Sequence, residues 1–275
     1  PRGVVEFFRQ MAAEESADHS ITLGTTYDNA KNLRAEYIED IRKGASEREV
    51  RQQLEAEVLN DDGAVYADEF DEVMSMDNAW KFDRHRTEHF VTIDWGPSYP
   101  AVLFLQRDLE TDITTIYDEI CEDGVPHRTL ISLIRDKLKQ WGLTFNDLEM
   151  VHCDPNPKEA TLELRRKVKG TPVMAPRGRR IQDINRGIDV VRGLLLDHQG
   201  NRRLRFAKRL LRTRSPRRVL QCMLLYRWRE RRTAEGVIRL DEAAKGTHDH
   251  SMDCLRYWAV WHYGRYRYTQ ERATA

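Results

Sequence analysis

Residues 89–105 read H-F-V-T-I-D-W-G-P-S-Y-P-A-V-L-F-L, two apolar runs separated by a short segment with a glycine and two prolines. Apolar runs of this length between turn residues predict two β-strands, over 89–94 and 101–105. A third run, 113–117, follows after another short turn. Because the connections are short, we expect the three strands to form an antiparallel meander. Asp94 would end its first strand.

Beyond the meander, the apolar pattern alternates between helical and strand spacing. In chain order it predicts a helix from Pro126, a strand over 148–153, a helix over 159–168, a strand over 171–174, a helix over 181–196, a strand or extended loop over 204–206, a helix from Pro216 to Trp228, a strand over 237–240, and a helix from His250 to Tyr263. A meander followed by β-α-β-α and a closing helix resembles an RNase H-like mixed α/β sheet.

The first part of the chain differs in composition from the rest. Residues 1–67 are predicted to be mostly helical and contain few large apolar residues. Residues 68–86 are acidic and poorly patterned, which indicates a linker before a main domain over 87–270. Because Pro1 is not an initiator methionine and no signal peptide follows, we expect the sequence to be an interior piece of a longer protein.

The zero formal net charge conceals an asymmetry along the chain. Residues 1–80 carry 19 acidic and 8 basic side chains, whereas residues 165–232 carry 22 basic and 4 acidic ones. A basic excess of this size, nearly all arginine, predicts contact with a nucleic acid. A solvated basic surface is the simpler alternative. No apolar run is long enough to cross a membrane, so no membrane partner is expected.

Four side chains are candidates for binding a divalent cation. Asp94 and Asp154 each follow an apolar run of strand length, and His250 and Asp253 lie three residues apart at the start of the last helix. Carboxylates that lie close together repel one another unless a cation neutralises them. Oxygen ligands with one imidazole suit Mg²⁺ or Mn²⁺. If the helix starts one residue earlier, Asp249 takes the place of His250.

Each of these residues also has a purely structural interpretation. Asp94 could cap the turn at Gly96, Asp154 could start a turn, and Asp253 could form a surface ion pair with Arg256. Zinc is a rival metal because His248 and His250 have H-x-H spacing and Cys153 lies beside Asp154. The four cysteines show no C-x-x-C spacing, which indicates a reducing compartment.

Three phrases carry a resemblance to a known family: V-T-I-D-W-G-P-S-Y-P-A-V, M-V-H-C-D-P-N-P-K-E-A and H-D-H-S-M-D-C-L-R-Y-W. They resemble the nuclease domain of the large terminase subunit of tailed bacteriophages. The segments I-T-L-G-T-T-Y-D-N-A-K-N-L and D-D-G-A-V-Y are similar to the end of the terminase ATPase domain, so that residues 1–67 would be its remnant. The resemblance covers nearly the whole chain.

The resemblance implies an RNase H-like sheet of strand order 3-2-1-4-5 and an endonuclease that cuts concatemeric viral DNA during genome packaging. It implies catalysis with two Mg²⁺ or Mn²⁺ ions held by Asp94, Asp154, Asp253 and either His250 or Asp249. Double-stranded DNA is the implied substrate, and the portal protein and the terminase small subunit are the implied partners, in the cytoplasm of the host cell.

Two further predictions concern residues that are not proposed as metal ligands. Lys158 and a loop with three arginines follow strands that end near the proposed site, so we expect them to contact backbone phosphates. The loop arginines are Arg177, Arg179 and Arg180. Glu119, at the end of the third strand, is expected to be a solvated acid.

Some activities are not expected or remain alternatives. No G-x-x-x-x-G-K-[ST] loop occurs, so ATPase activity is not expected from this chain, and we expect the ATPase core to lie upstream. The H-x-x-D pair also resembles Holliday-junction resolvases. A non-catalytic basic DNA-binding module is a further alternative.

Overall fold

The structure is a computed structural model that describes residues 25–34, 38, 39, 54, 63–96, 98–175, 183–212, 217–233, 236–246 and 248–264. The chain divides into two compact units, residues 1–61 and 62–275. In the first unit, a 3₁₀-helix spans Tyr27–Asn32, and Ile38, Glu39 and Leu54 are helical. The three-part division into ATPase remnant, linker and nuclease domain stays a prediction.

The second unit is built on a seven-stranded mixed sheet. Its strands are β1 (Met76–Asp77), β2 (Thr87–Asp94), β3 (Ala101–Asp108), β4 (Thr114–Cys121), β5 (Met150–Cys153), β6 (Val173–Met174) and β7 (Leu204–Ala207). The helices are α1 (His127–Gln140), α2 (Lys158–Lys167), α3 (Ile184–Leu195), α4 (Val219–Leu225) and α5 (His250–Tyr263). A separate hairpin consists of β8 (Trp228–Thr233) and β9 (Gly236–Ala243).

The order of the strands in the sheet is β1-β7-β4-β3-β2-β5-β6. The meander β2-β3-β4 is antiparallel, and β5 pairs with β2 in parallel. The first five strands predicted from the sequence therefore lie in the order 3-2-1-4-5, and the predicted RNase H-like α/β fold is confirmed. β7 and β1 extend the sheet beyond β4, each parallel to its neighbour.

Helices cover both faces of the sheet, which explains why β2 is apolar on both sides. Alternate residues of a strand point to opposite faces. Phe90 packs in a core with residues of α3, α4 and α5, whereas Val91 and Ile93 pack in a second core with residues of α1 and α2. Burial on both faces produces the continuous apolar run that the sequence shows.

Two segments have features that the sequence pattern did not predict. The helix predicted to reach Trp228 ends at Leu225, and Trp228 begins β8 instead. Residues 68–86, interpreted as a linker, contribute β1 to the sheet and a buried Phe70 to the core. In both places, pairing with distant strands determines a structure that the local pattern does not reveal.

Among the helices that the structure describes, none combines the length and the apolar composition needed to cross a membrane.

Candidate active site

Asp94 and Asp154 lie at the ends of two neighbouring parallel strands. Ile93 of β2 is in register with Cys153 of β5, and the Asp154 amide donates to the Ile93 carbonyl over 2.9 Å. The next residue of each strand is therefore an aspartate. Since Ile93 and Cys153 both face α1 and α2, the strand alternation turns both aspartates towards the face that α5 covers.

Helix α5 brings His250 to Asp94. It packs against β2, β3 and β5, and its first residue is His250, as the sequence predicted. His250 Nδ1 lies 3.2 Å from Asp94 Oδ2, and its Nε2 lies 3.8 Å from Asp249 Oδ1. Asp94 is only 4% exposed. The imidazole therefore contacts the carboxylate of Asp94 on the sheet and lies near that of Asp249, just before the helix.

Gly96 makes the approach of His250 possible. A Cβ atom at this position would lie 2.8 Å from His250 Cε1 and Nδ1, and 2.9 Å from the carbonyl oxygen of Tyr99. A Cβ atom does not come this close to other heavy atoms unless one of them moves. The glycine after Asp94 and Trp95 therefore leaves space for a side chain from another element.

Asp253 lies one turn of α5 beyond His250 and pairs with Arg256. Arg256 Nη2 donates to Asp253 Oδ1 over 2.6 Å. The ion pair considered for these residues is therefore present, but it is not on the surface: the Arg256 side chain is only 5% exposed.

Burial and neighbouring charges shift the pKa values of three of these groups. Burial raises the pKa of Asp154, and the charge of Asp94 raises it further. Burial also raises the pKa of Asp253, where Arg256 acts in the opposite direction and Asp94 and Asp249 add to the increase. The hydrogen bond with Asp94 raises the pKa of His250 against burial, which lowers it. Repulsion between neighbouring carboxylates is what a divalent cation relieves.

The structural interpretations of the three aspartates are also observed. Asp94 Oδ1 accepts from the Gly96 amide, and Asp154 Oδ1 accepts from the Asn156 amide, each over 2.9 Å. Asp253 Oδ1 accepts from Arg256. Each of these bonds uses one carboxylate oxygen. These bonds orient the three side chains, and the second oxygen of Asp94 contacts His250.

The donor set suits a hard divalent cation in its chemistry, since it consists of carboxylates and one imidazole. Within the described part of the chain, no three His, Cys, Asp or Glu side chains are already arranged to hold an ion. His250 and Arg256 instead face Asp94 and Asp253. The donor set does not favour zinc, because Cys153 packs in the opposite core and its Sγ lies 3.6 Å from Thr161 Oγ1.

The residues predicted to contact DNA are only partly described. Lys158 is exposed at the first position of α2, four residues after Asp154. Arg177, Arg179 and Arg180 lie outside the described residues. Their role stays a prediction.

Glu119 is not the solvated acid that the sequence suggested. It is 5% exposed, and its Oε2 accepts from the Val219 amide, the first residue of α4, over 2.6 Å. Glu119 thereby fixes the start of α4 and the turn with Arg217. Its position on a strand end gave no sign of this contact, because Val219 is 100 residues away in the chain.

Several arginines of the basic stretch have internal partners. Arg192 donates to the Val65 carbonyl, Arg202 to three oxygens, and Arg218 to the Leu211 carbonyl. Arg209 pairs with the buried Asp118. Part of the basic excess is therefore used to hold the fold together, and fewer arginines remain for a polyanion than the sequence count implies.

The structure adds two residues at the rim of the site that the sequence did not single out. The guanidinium of Arg217 lies 3.4 Å from the centre of the Tyr99 ring and pairs with Asp123. Tyr99 and Arg217 line a narrow cavity together with His250. No motif marks either residue, because they meet only when the β2–β3 loop and the start of α4 come together.

Comparison with known proteins gives similarities in structure. The large terminase of the thermophilic bacteriophage D6E matches with a TM-score of 0.55 at 18% identity, over 86% of this chain and 53% of that protein. The P22 large terminase nuclease domain matches with a TM-score of 0.50 at 14% identity, over 74% of this chain and 93% of that domain. This chain has the fold of a large-terminase nuclease domain. The resemblance inferred from the sequence is confirmed at the level of the fold.

The large terminase nuclease domain of bacteriophage SPP1, solved with bound Mn, has a TM-score of 0.46 at 14% identity, over 68% of this chain and 94% of that domain. No protein-family model matches the sequence, and no curated protein matches it. The chain spans about half the length of the D6E large terminase.

Proposed function

We propose that this chain is a DNA endonuclease that hydrolyses phosphodiester bonds with Mg²⁺ or Mn²⁺. One observation carries the proposal: Asp94 and Asp154 end neighbouring parallel strands, and α5 brings His250 within 3.2 Å of Asp94. A partly buried group of carboxylates of this kind is suited to divalent cations rather than to structural ion pairing alone. Its place on a terminase-like nuclease fold supports the same reaction class.

The proposed ligands are Asp94, Asp154, Asp253 and His250, with Asp249 as the alternative to His250. When bound, the divalent ions would activate the attacking water and stabilise the departing oxygen. The protein holds the carboxylates in place through their capping bonds to Gly96, Asn156 and Arg256. Asp249 Oδ2 accepts from the Gly246 amide over 3.1 Å, which fixes the carboxylate before α5.

The proposed substrate is double-stranded DNA. Lys158 and the loop arginines Arg177, Arg179 and Arg180 would contact backbone phosphates, which position the duplex without reading its sequence. The proposed role is the cutting of concatemeric viral DNA during genome packaging, in the host cytoplasm, together with a portal protein and a terminase small subunit. This role concerns a longer protein of which the chain would be a part.

A plasmid-nicking assay in Mn²⁺ tests the proposal. The wild-type chain should convert supercoiled plasmid to nicked and linear forms, and EDTA should stop the reaction. Asp94→Asn and Asp154→Asn should each reduce the rate by more than about 100-fold while DNA binding persists, because an amide is a poor ligand for a hard cation. The matched control is Asp136→Asn on α1, whose side chain is 64% exposed.

Two outcomes would contradict the proposal. If both variants cut DNA as fast as wild type, Asp94 and Asp154 take no part in the reaction. If the wild-type protein binds DNA but does not cut it in Mg²⁺ or Mn²⁺, the chain is a non-catalytic DNA-binding module instead. A four-way junction in the same assay separates a resolvase from a packaging nuclease, because only a resolvase should prefer it to linear duplex.

A further inference from the structure

Arg256 is an arginine buried beside the proposed active site. Its side chain is 5% exposed, and its Nη2 donates to Asp253 Oδ1 over 2.6 Å. The guanidinium also lies 5.3 Å from the centre of the Tyr257 ring. Within the described part of the chain, its Nε and Nη1 have no hydrogen-bond acceptor. The guanidinium therefore has Asp253 as its ionic partner and gives up most of its hydration.

Helix α3 locks the stem of this arginine. A Cβ atom at Gly187 would lie 2.1 Å from Arg256 Cγ and 2.2 Å from Cδ. Gly187 is within α3, where a glycine is less favourable than an alanine. The absence of a side chain at this position allows Arg256 to pass between the two helices. The rotamer that carries the guanidinium to Asp253 is thus set by packing from a second helix.

A buried ion pair of this kind is a poor way to stabilise a fold, because desolvation offsets most of the attraction. Two of the guanidinium nitrogens, Nε and Nη1, are buried without a hydrogen-bond acceptor among the described residues. What the arrangement does provide is a fixed direction for one carboxylate, since the charged hydrogen bond is short and its donor cannot rotate away. The carboxylate whose direction is fixed in this way is that of Asp253.

We propose that Arg256 is a positioning residue: it holds the Asp253 carboxylate by one oxygen, so that the other is presented to the divalent cation. The inference rests on the proposed function, since it assigns Asp253 a metal-binding role. Gly187 contributes to this positioning, because its lack of a side chain lets the Arg256 stem adopt the observed rotamer. Outer partners that orient ligating carboxylates typically change metal affinity or activity by about 10–100-fold when removed.

The test is the Mn²⁺ affinity of the full chain, measured without DNA by electron paramagnetic resonance of the free ion. Arg256→Met keeps the length of the stem and removes the guanidinium. We expect its Mn²⁺ affinity to fall by about 10-fold or more. The sign is diagnostic, since loss of a positive charge alone would strengthen the binding of a cation. A purely structural arginine would instead lower the unfolding temperature and leave the affinity unchanged.

Gly187→Ala tests the same positioning without altering any charge. The added methyl group must push the Arg256 stem aside, so the Mn²⁺ affinity should fall in this variant also. Arg256→Lys serves if Arg256→Met does not fold, because it keeps the charge but has no planar fork, and its affinity should lie between wild type and Arg256→Met. Arg135→Met, at an exposed position on α1, is the control and should bind Mn²⁺ as wild type does.

The possible failures are distinguishable. Wild-type protein that binds no Mn²⁺ would overturn the proposed function. Wild-type protein that binds Mn²⁺, with Arg256→Met and Gly187→Ala binding it equally well or better, would overturn only the role of Arg256.

Discussion

Asp94 Oδ2 and His250 Nδ1 lie 3.2 Å apart although 156 residues separate them in the chain. Asp94 ends the first strand of the meander, and His250 begins the last helix of the described fold. The contact therefore joins the two ends of the sheet domain at one point. The contact brings the start of α5, with His250 and Asp253, to the strand that carries Asp94.

The first prediction concerns Gly96, which leaves space for His250. Gly96→Ala should displace the imidazole, because the new Cβ would lie 2.8 Å from two of its ring atoms. We expect DNA cutting to fall by about 10–100-fold, as misplacement by an ångström can cost this much. The control is Ser98→Ala, at an exposed position in the same loop. If Gly96→Ala cuts like Ser98→Ala, His250 takes no part in the site.

The second prediction concerns the stability contributed by Glu119. Glu119→Ala leaves the buried Val219 amide without its acceptor, so the free energy of unfolding should fall by about 1–3 kcal/mol. Glu119→Gln should lose less, because its carbonyl oxygen can still accept. Urea unfolding measures the difference. Glu122→Ala, at an exposed position on the next turn, should be near neutral; an equal loss in the two alanine variants would argue against the buried contact.

The third prediction concerns the pH dependence of stability. His262 Nε2 lies 3.2 Å from His152 Nε2. Burial lowers the pKa of His262 to about 4, and the charge of Arg107 acts in the same direction. As the pH falls below about 6.5, this histidine is protonated in the unfolded chain but stays neutral in the folded chain. The free energy of unfolding therefore decreases until the pH reaches about 4.

His262→Gln keeps a polar group at this position and cannot be protonated. Between pH 7.5 and pH 4.5, its melting temperature should therefore fall less than that of wild type. Thermal unfolding followed by circular dichroism at both pH values gives the comparison. Identical decreases for the two proteins would mean that His262 is not held in its neutral form.

The fourth prediction concerns the DNA path. If Lys158 contacts a phosphate, Lys158→Ala should weaken duplex binding for all sequences alike and reduce the slope of log affinity against log salt by about 1. Fluorescence anisotropy at several salt concentrations measures the slope. Lys139→Ala, at an exposed position on α1, should leave it unchanged. If Lys158→Ala has the same slope of log affinity against log salt as wild type, the DNA does not contact Lys158.

The elements predicted best are those whose own residues determine their structure. The strand that ends at Asp94 and the helix over His250–Tyr263 are rich in apolar residues, because both lie in the middle of the fold. The neighbouring placement of Asp94 and Asp154 followed from the resemblance in strand order. The choice of His250 as the partner of Asp94 required the structure, since it depends on where α5 begins.

The parts that could not be predicted depend on contacts between distant segments. β8 has the arginine-rich sequence W-R-E-R-R-T, which shows no strand alternation, and it exists through its pairing with β9. The burial of Arg256 depends on the absence of a side chain at Gly187 in another helix. An i, i+3 pair such as Asp253 and Arg256 looks like a surface ion pair in sequence, and only packing reveals that it is inside.

The most direct test of the account is a crystal structure of the chain grown in Mn²⁺, with anomalous scattering recorded at the manganese edge. The account predicts anomalous peaks within coordination distance of the carboxylate oxygens of Asp94, Asp154 and Asp253. Crystals with saturating Mn²⁺, in which no peak lies at this site while Asp94 keeps its contact with His250 and Asp253 its contact with Arg256, would contradict it.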